Sequence, residues 1–396
     1  MHEIAPFPKD FLLGAATSAH QVEGNNIHSD WWLLEHHPAM AGRLTPSGRA
    51  IDHFNRYEED IALLAGLGYN AYRFSVEWAR VEPVENEFSQ SALDHYQRMI
   101  DCVLAHGMTP VVTLHHFTQP AWVALQGTAG LARLPDLFAV YCAKVVAALG
   151  DRIAWLCTIN EANIKDVMGF VLPSFQNLIG ADRTRFLPFA LLDSYETVAC
   201  AHKKARQAIK ALFPRLPVGL TLAASPILPI DETAIVQAER ISAQLLDRYL
   251  DLAKDDDFIG IQVYQRHIID ALGKQVPPGP MEETDSQGKR FDPTALGLAL
   301  RKAWERTGRP LLITENGICT HDDQQRIRYI DATLESLRQC QQAGLDIRGY
   351  LHWSAFDNYE WGTFEHTFGL IAIEGPGMVR KPKPSAYHLG AYSNGM

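Results

Sequence analysis

Two glutamates, Glu161 and Glu315, each follow a strongly apolar run, and each has an asparagine beside it, Asn160 and Asn316. Two carboxylates carried by different strands can flank one glycosidic bond, one protonated as an acid and the other ionised as a nucleophile or base. Other polar and aromatic side chains follow apolar runs in the same way. They are Gln21 and Glu23, then Arg73, Glu77 and Trp78, then His115, His116 and Phe117. Further along come Asn163, Gln262 and Tyr264, and finally His352, Trp353, Asp357, Asn358, Glu360 and Trp361. Amides and carboxylates suit the hydroxyls of a sugar, and an indole suits the C–H face of its ring. A glutamate after a strand is more often a solvated loop residue or a helix cap. The chemistry therefore depends on a fold that brings these strand ends to one face.

The elements that could do so are readable as eight short apolar runs bounded by turn signals. In order they are FLLGAATSA, AYRFSVEW, TPVVTLHHF, IAWLCTIN, PVGLTLAAS, DFIGIQVY, PLLITENG and IRGYLHWS. Continuous apolar runs of this length fit parallel strands buried on both faces. Helical spacing lies between them, in YEEDIALLAGLGYN, SALDHYQRMIDCVLAHGM and DATLESLRQCQQAGLDI, with Gly66 and Gly68, Gly107 and Gly344 near their ends. Strands alternating with helices give either a doubly wound sheet or a closed (β/α)8 barrel. Eight strands and no GxGxxG turn favour one barrel domain over residues 1–396, an α/β fold with its site at the C-terminal strand ends. The segment from about Ala162 to Leu191 is expected to wall the pocket. The polar stretch at about 273–293 is expected to be one surface loop.

The same residues carry a family resemblance. FLLGAATSAHQVEG, TLHHFTQP, TINEA, ITENG and WSAFDNYEW occur in that order along the chain. In this combination they resemble the signatures of glycoside hydrolase family 1, the β-glucosidase family, over essentially the whole length. The resemblance implies a TIM barrel and retaining hydrolysis of small-molecule β-glycosides without cofactor or metal. It makes Glu315 the nucleophile and Glu161 the acid/base. It gives Asn160 to the sugar 2-hydroxyl, and Gln21, His116, Glu360 and Trp361 to the other hydroxyls of the non-reducing sugar. Trp353 is its stacking floor, Arg73 and Tyr264 are partners of the nucleophile, and Phe368 is a wall near the sugar. Three positions depart from the family pattern: Ala162 stands for Pro, Phe117 for Trp, and Gln262-Val263-Tyr264 for Asn-Tyr-Tyr. A transglycosidase on the same site, and a sugar-binding protein on the same fold, are the alternative readings.

Family members that act on 6-phospho-β-glycosides have a small hydroxyl residue in place of Glu360, followed by Lys and Tyr. Here no Lys lies between Glu360 and Phe368. A fully charged Glu360 is expected to repel a phosphate by about 4 kcal/mol for unit charges about 4 Å apart at an effective dielectric of about 20.

The remaining residues are read plainly. His115 is expected to be structural, and His116 to face the sugar. Adjacent histidines on a strand point to opposite faces, so neither His36-His37 nor His115-His116 readily holds one ion. Trp31, Trp32, Trp122, Trp155 and Trp304 are expected in core or loop packing, Asp357 and Asn358 as organisers of the last strand, and Asp255-Asp256-Asp257 as a solvated turn. The formal charge of −10 argues against non-specific binding to nucleic acid or an anionic membrane. No window approaches the roughly 18 apolar residues of a membrane span, and the basic region of a secretory signal is missing from the start. A cytoplasmic protein with six reduced cysteines is the expectation, and the oligomeric state is not readable.

Overall fold

Each of the eight apolar runs forms a strand. In the computed structural model, which describes residues 7–8, 10–171 and 183–394, these are β1 (Leu12–Ala16), β2 (Ala71–Ser75), β3 (Thr109–His115), β4 (Trp155–Ile159), β5 (Val218–Ala223), β6 (Phe258–Val263), β7 (Leu311–Asn316) and β8 (Ile347–Trp353). They close into a barrel in sequential order, every neighbouring pair parallel, with β8 beside β1. The fold is the (β/α)8 barrel.

Strand alternation sorts the side chains. On β6, Phe258, Gly260 and Gln262 point to the barrel axis, and Tyr264 continues that row just past the strand, while Ile259, Ile261 and Val263 join the outer core under the helices. On β2, Ala71 lies in the interior cluster, so Arg73, two residues on, points the same way. The interior is packed by Leu12, Val111, Cys157, Phe258, Leu312 and Leu351, and its upper end is closed by Trp353 and Phe368.

The helices follow the amphipathic pattern. Ser89 caps Gln90–Ala105 by accepting the Ala92 N–H at 3.2 Å, and Leu93, Tyr96, Met99, Ile100 and Val103 form its buried face. It ends before Gly107, whose φ of 71° is the left-handed conformation that stops a helix. The helix expected from Asp331 begins earlier, at Asp323, because Asp322 caps it through the Gln324 N–H at 2.9 Å. Its first turn, Asp323–Arg326, is polar, which hid it from an apolar-period reading.

Two expectations are corrected. Asp256 is buried, not solvated: it accepts from the Leu220 N–H at 3.0 Å and contacts His202 Nε2 at 3.1 Å. The adjacent Asp257 accepts the Val218 N–H at 2.9 Å. This acidic run ties the start of β5 to β6. His36 and His37 lie not on a strand but at the end of the helix Asp30–Glu35 and the start of the 3-10 turn Pro38–Met40. All six cysteines are free, and four of them are buried. Among the described residues no helix is long and apolar enough to cross a membrane.

Candidate active site

At the C-terminal end of the barrel lies a cavity of about 850 Å³. Its lining includes Gln21, His116, Glu161, Tyr264, Glu315 and Trp353, together with Glu360, Trp361 and Phe368. Two further expected residues, Arg73 and Asn160, are fully buried just beneath and hold this set in place.

Glu315 reaches the cavity through an irregularity in β7. Ile261 pairs with Ile313 but Gln262 pairs with Glu315, so one residue, Thr314, is skipped and the strand re-aims. Its carboxylate then meets three donors. Arg73 Nη1 donates to Oε1 at 2.7 Å, Gln262 Nε2 to the same oxygen at 2.9 Å, and the Tyr264 hydroxyl to Oε2 at 2.6 Å. Gly317 lets the chain turn away, since a Cβ there would stand 1.9 Å from the Trp353 carbonyl oxygen.

Glu161 stands differently. Its φ is 40°, a strained value for a residue with a Cβ. Its own N–H donates to Thr221 Oγ1 at 3.0 Å, and the Ala162 N–H donates to the Thr221 carbonyl at 3.0 Å. A proline at 162 would lack that second donor, so this departure from the family pattern fastens the Glu161 turn to β5. Phe117 and Trp361 also have positive φ, 69° and 49°, and their rings meet edge-on at 5.2 Å in the cavity wall. Val263 faces the outer core, so a Tyr-to-Val change there alters packing and not the cavity.

Asn160 is oriented by chemistry that permits one answer. Its side-chain oxygen faces Arg73 Nη2 at 2.5 Å and Gln262 Nε2 at 2.8 Å, both pure donors, so that atom is the acceptor. The amide nitrogen is left to face His116 Nε2 at 3.2 Å. Burial holds the His116 imidazole well below its ordinary range, with the Arg73 charge adding to it, so the ring is neutral and accepts from Asn160. His116 Nδ1 has no partner among the described residues, and the ring stacks on Trp353 at 5.7 Å. His115 points away, buried against Phe138 and pushed down to about 3 by burial.

The far end is built by Gln21, Trp353 and Glu360. Gln21 Nε2 donates to Asn358 Oδ1 at 3.1 Å and to the Tyr359 carbonyl at 2.9 Å, and Trp353 Nε1 donates to Glu360 Oε1 at 3.2 Å. Burial pushes the Glu360 carboxyl up to about 8. The expected full negative charge on Glu360 at neutral pH is thus corrected to a group that holds its proton over much of that range.

The two central carboxyls are both raised by burial. Burial is also the larger cause at Glu161, with the Glu315 charge second, and its carboxyl reaches about 8. Glu315 is pulled back by Arg73 and Tyr264. The pair shares its titration. Three donors favour the ionised form of Glu315, whereas the carboxyl of Glu161 has no hydrogen-bond partner among the described residues, so the proton rests on Glu161.

Other strand-end residues are not brought into the cavity. Glu23 pairs with Arg80 at 2.6 Å, and Glu77 accepts from Thr118 at 2.7 Å, both beneath the mouth. Asn163, Asn316 and Asn358 satisfy backbone groups, and Asp357 pairs with Lys383 at 2.7 Å. Among the described residues no three His, Cys, Asp or Glu side chains converge as metal ligands.

The roles of several positions were not visible in sequence. Gln262 is a hub of the site. Trp31 packs in a buried cluster with Leu34, Met40 and Tyr359, as expected, and in addition lines the cavity, meeting Trp361 edge-on at 5.2 Å. Asp30 ties three loops of the mouth by accepting the N–H of Trp31, Gln119 and Phe189 at 2.8, 3.1 and 2.9 Å. The segment after Glu161 does wall the cavity through Ile164, Met168, Leu187 and Phe189, and its residues 172–182 lie outside the described residues. The stretch at 273–293 is a loop, but its tip brings Gln287 and Lys289 to the cavity.

The sequence profile described as glycosyl hydrolase family 1 matches residues 3–253 and 250–394. The chain belongs to glycosyl hydrolase family 1. Thermostable beta-glucosidase B of Thermobispora bispora is 30% identical over 96% of this chain and 89% of its own length. Beta-glucosidase A of Thermotoga maritima is 28% identical over 99% and 98%. Aryl-phospho-beta-D-glucosidase BglC of Bacillus subtilis is also 28% identical, over 93% and 92%. Among solved structures, the beta-glycosidase BGL167 is 42% identical, with a TM-score of 0.91 over 98% of this chain and 97% of that one. The Thermotoga maritima beta-glucosidase in complex with noeuromycin is 26% identical, with a TM-score of 0.87 over 99% of both chains. As a family 1 member the chain is a glycosyl hydrolase.

Proposed function

We propose that residues 1–396 act as one catalytic domain, a retaining, exo-acting β-glycosidase for neutral β-glycosides, with β-glucosides foremost and β-galactosides or β-fucosides as further substrates. The observation that carries this reading is the inequality of two buried carboxyls in one cavity. Glu315 is held by three donors, and Glu161 has none at its carboxyl among the described residues. One is prepared as an ionised nucleophile and the other as a protonated acid.

In the proposed sequence Glu315 attacks the anomeric carbon while Glu161 gives its proton to the departing oxygen. The bond to the leaving group breaks as the ester to Glu315 forms. Esterification removes the charge of Glu315, which lowers the proton affinity of Glu161, and Glu161 then takes a proton from the water that attacks the anomeric carbon and displaces the Glu315 carboxylate. The Asn160 amide nitrogen, fixed by Arg73 and Gln262, donates to the sugar 2-hydroxyl. Trp353 offers the stacking face, and Gln21, His116, Glu360 and Trp361 take the remaining hydroxyls, with Phe368 as a wall. No cofactor enters these steps.

The pH dependence follows from Glu161. Its carboxyl is raised to about 8 and works protonated, so on the alkaline side kcat/KM falls as pH rises through about 8. A pH series on an aryl β-glucoside checks this limb. Removal of the limb in Glu161→Gln, with wild type and variant compared on the same aryl glucoside, ties it to that residue. An unchanged alkaline limb in the variant contradicts the assignment.

A panel of aryl β-glycosides tests the substrate class. Cleavage of neutral glucosides at least about tenfold better than of the 6-phosphate is the expected result. The reason differs from simple charge repulsion. Glu360 accepts from Trp353 Nε1, and among the described residues no cation forms an ion pair with it, Lys289 acting on it only at a distance, so a buried phosphate dianion there would lack a paired counter-charge. A higher kcat/KM on the 6-phosphate overturns this part of the reading.

A further inference from the structure

The cavity is lined by four carboxyls, Glu161, Asp193, Glu315 and Glu360, and by three cations, Lys165, Arg183 and Lys289. Two of the cations are spoken for. Lys165 pairs with Asp193 at 2.5 Å, and Arg183 pairs with the same carboxylate. The amino group of Lys289 makes no hydrogen bond or ion pair among the described residues. Its side chain is half-buried at the rim, while Trp353, Gln21 and Asn160 are fully withdrawn at the floor. Its charge is felt at both Glu161 and Glu360, whose carboxyls it lowers somewhat against the larger effect of burial.

The loop that carries Lys289 is built to hold it there. Asp285 Oδ1 accepts the N–H groups of both Gln287 and Lys289 at 2.8 Å, and the Asp285 N–H returns to the Lys289 carbonyl at 2.8 Å. The Ser286 N–H donates to the Cys319 carbonyl at 2.9 Å, which fastens the tip to the chain leaving β7. Asp285 thereby spends its carboxylate on its own turn, not on the Lys289 amino group. Other walls of the same cavity are apolar, with Phe117, Ile164, Met168, Phe189 and Leu192.

We infer that Lys289 is a specificity residue for the leaving group, and that the preferred aglycones are aryl groups bearing a carboxylate. The apolar walls take the ring, and the rim ammonium takes the anion. The glycone hydroxyls are already served by the floor, so the spare cation acts outside them. This inference rests on the β-glycosidase reading above, and its test separates the two.

The test compares 4-carboxyphenyl β-glucoside with its uncharged isostere, 4-carbamoylphenyl β-glucoside, in the wild type and in Lys289→Gln, Lys289→Arg and Lys289→Glu. The quantity read is the ratio of kcat/KM values, acid over amide. An effect of the substitution on folding touches both substrates and cancels in that ratio. The expected result is a ratio that falls about five- to tenfold in Lys289→Gln, falls further in Lys289→Glu and is largely kept in Lys289→Arg, the size that a partly desolvated ion pair supports. Added salt should lower the wild-type ratio toward that of Lys289→Gln. A ratio that is the same in the wild type and Lys289→Gln overturns the inference while leaving the glycosidase reading intact. Failure of the wild type to cleave either glucoside overturns the glycosidase reading itself.

Discussion

Glu315→Ala is expected to keep the barrel and to lower kcat/KM on an aryl β-glucoside by about four orders of magnitude or more, the scale of losing a covalent nucleophile. The fold should survive because Arg73, left without its carboxylate, still donates to the Thr314 carbonyl at 3.2 Å, to Asn160 Oδ1 and to Thr113 Oγ1 at 3.1 Å. The vacated space is lined by Arg73 Nη1, Gln262 Nε2 and the Tyr264 hydroxyl, the three donors that held the carboxylate. A small anion such as azide or formate fits that donor set. On an activated aryl glucoside it should restore part of the rate and give a product of inverted configuration, an α-glycosyl azide. Circular dichroism checks the fold. A near-normal rate in Glu315→Ala without added anion means the nucleophile is elsewhere.

Glu161→Ala should separate the two halves of the reaction. Acid assistance matters in proportion to how poor the leaving group is, and general acid catalysis contributes about 10²- to 10⁴-fold. Glucosides with poor leaving groups should lose activity on that scale. A dinitrophenyl glucoside should keep most of its kcat/KM, because its glycosylation step needs little proton transfer. Its kcat should fall, since hydrolysis of the glycosyl-enzyme still lacks its base, and a burst of dinitrophenolate should precede the slow steady state. Azide should here raise kcat and give a product of retained configuration. A uniform loss of kcat/KM across leaving groups counts against Glu161 as the acid. The unequal hydrogen bonding of the pair makes the two variants differ in this way: Glu315 is surrounded by donors that an anion can replace it in, and Glu161 has a strained backbone and a carboxyl free to exchange its proton.

The barrel was legible because parallel strands buried on both faces read as unbroken apolar runs, and each of the eight runs became one strand. The carboxyl pair was legible because both members end such strands within signature motifs. What escaped the sequence has three physical sources. Gln262 was noted as a strand-end amide and as a departure from a pattern, yet its one amide nitrogen reaches both Asn160 and Glu315, and no spacing rule shows that. Lys289 and Asp30 act through loops whose paths depend on distant partners, the Cys319 carbonyl in one case and the Phe189 N–H in the other. The misread surroundings of Glu360 and Asp256 share a third cause. How deeply an acid is buried and which N–H groups it meets are set by the fold, and neither is written in its neighbours along the chain.

The central claim is double displacement through Glu315 with Glu161 as acid and base, a mechanism whose two carboxyl groups would stand about 5 to 5.5 Å apart. It is tested most directly by following the anomeric protons during early hydrolysis of an aryl β-glucoside by proton NMR. The account predicts that β-glucose appears first and that the α-anomer grows in only at the rate of mutarotation. Initial release of α-glucose would contradict it.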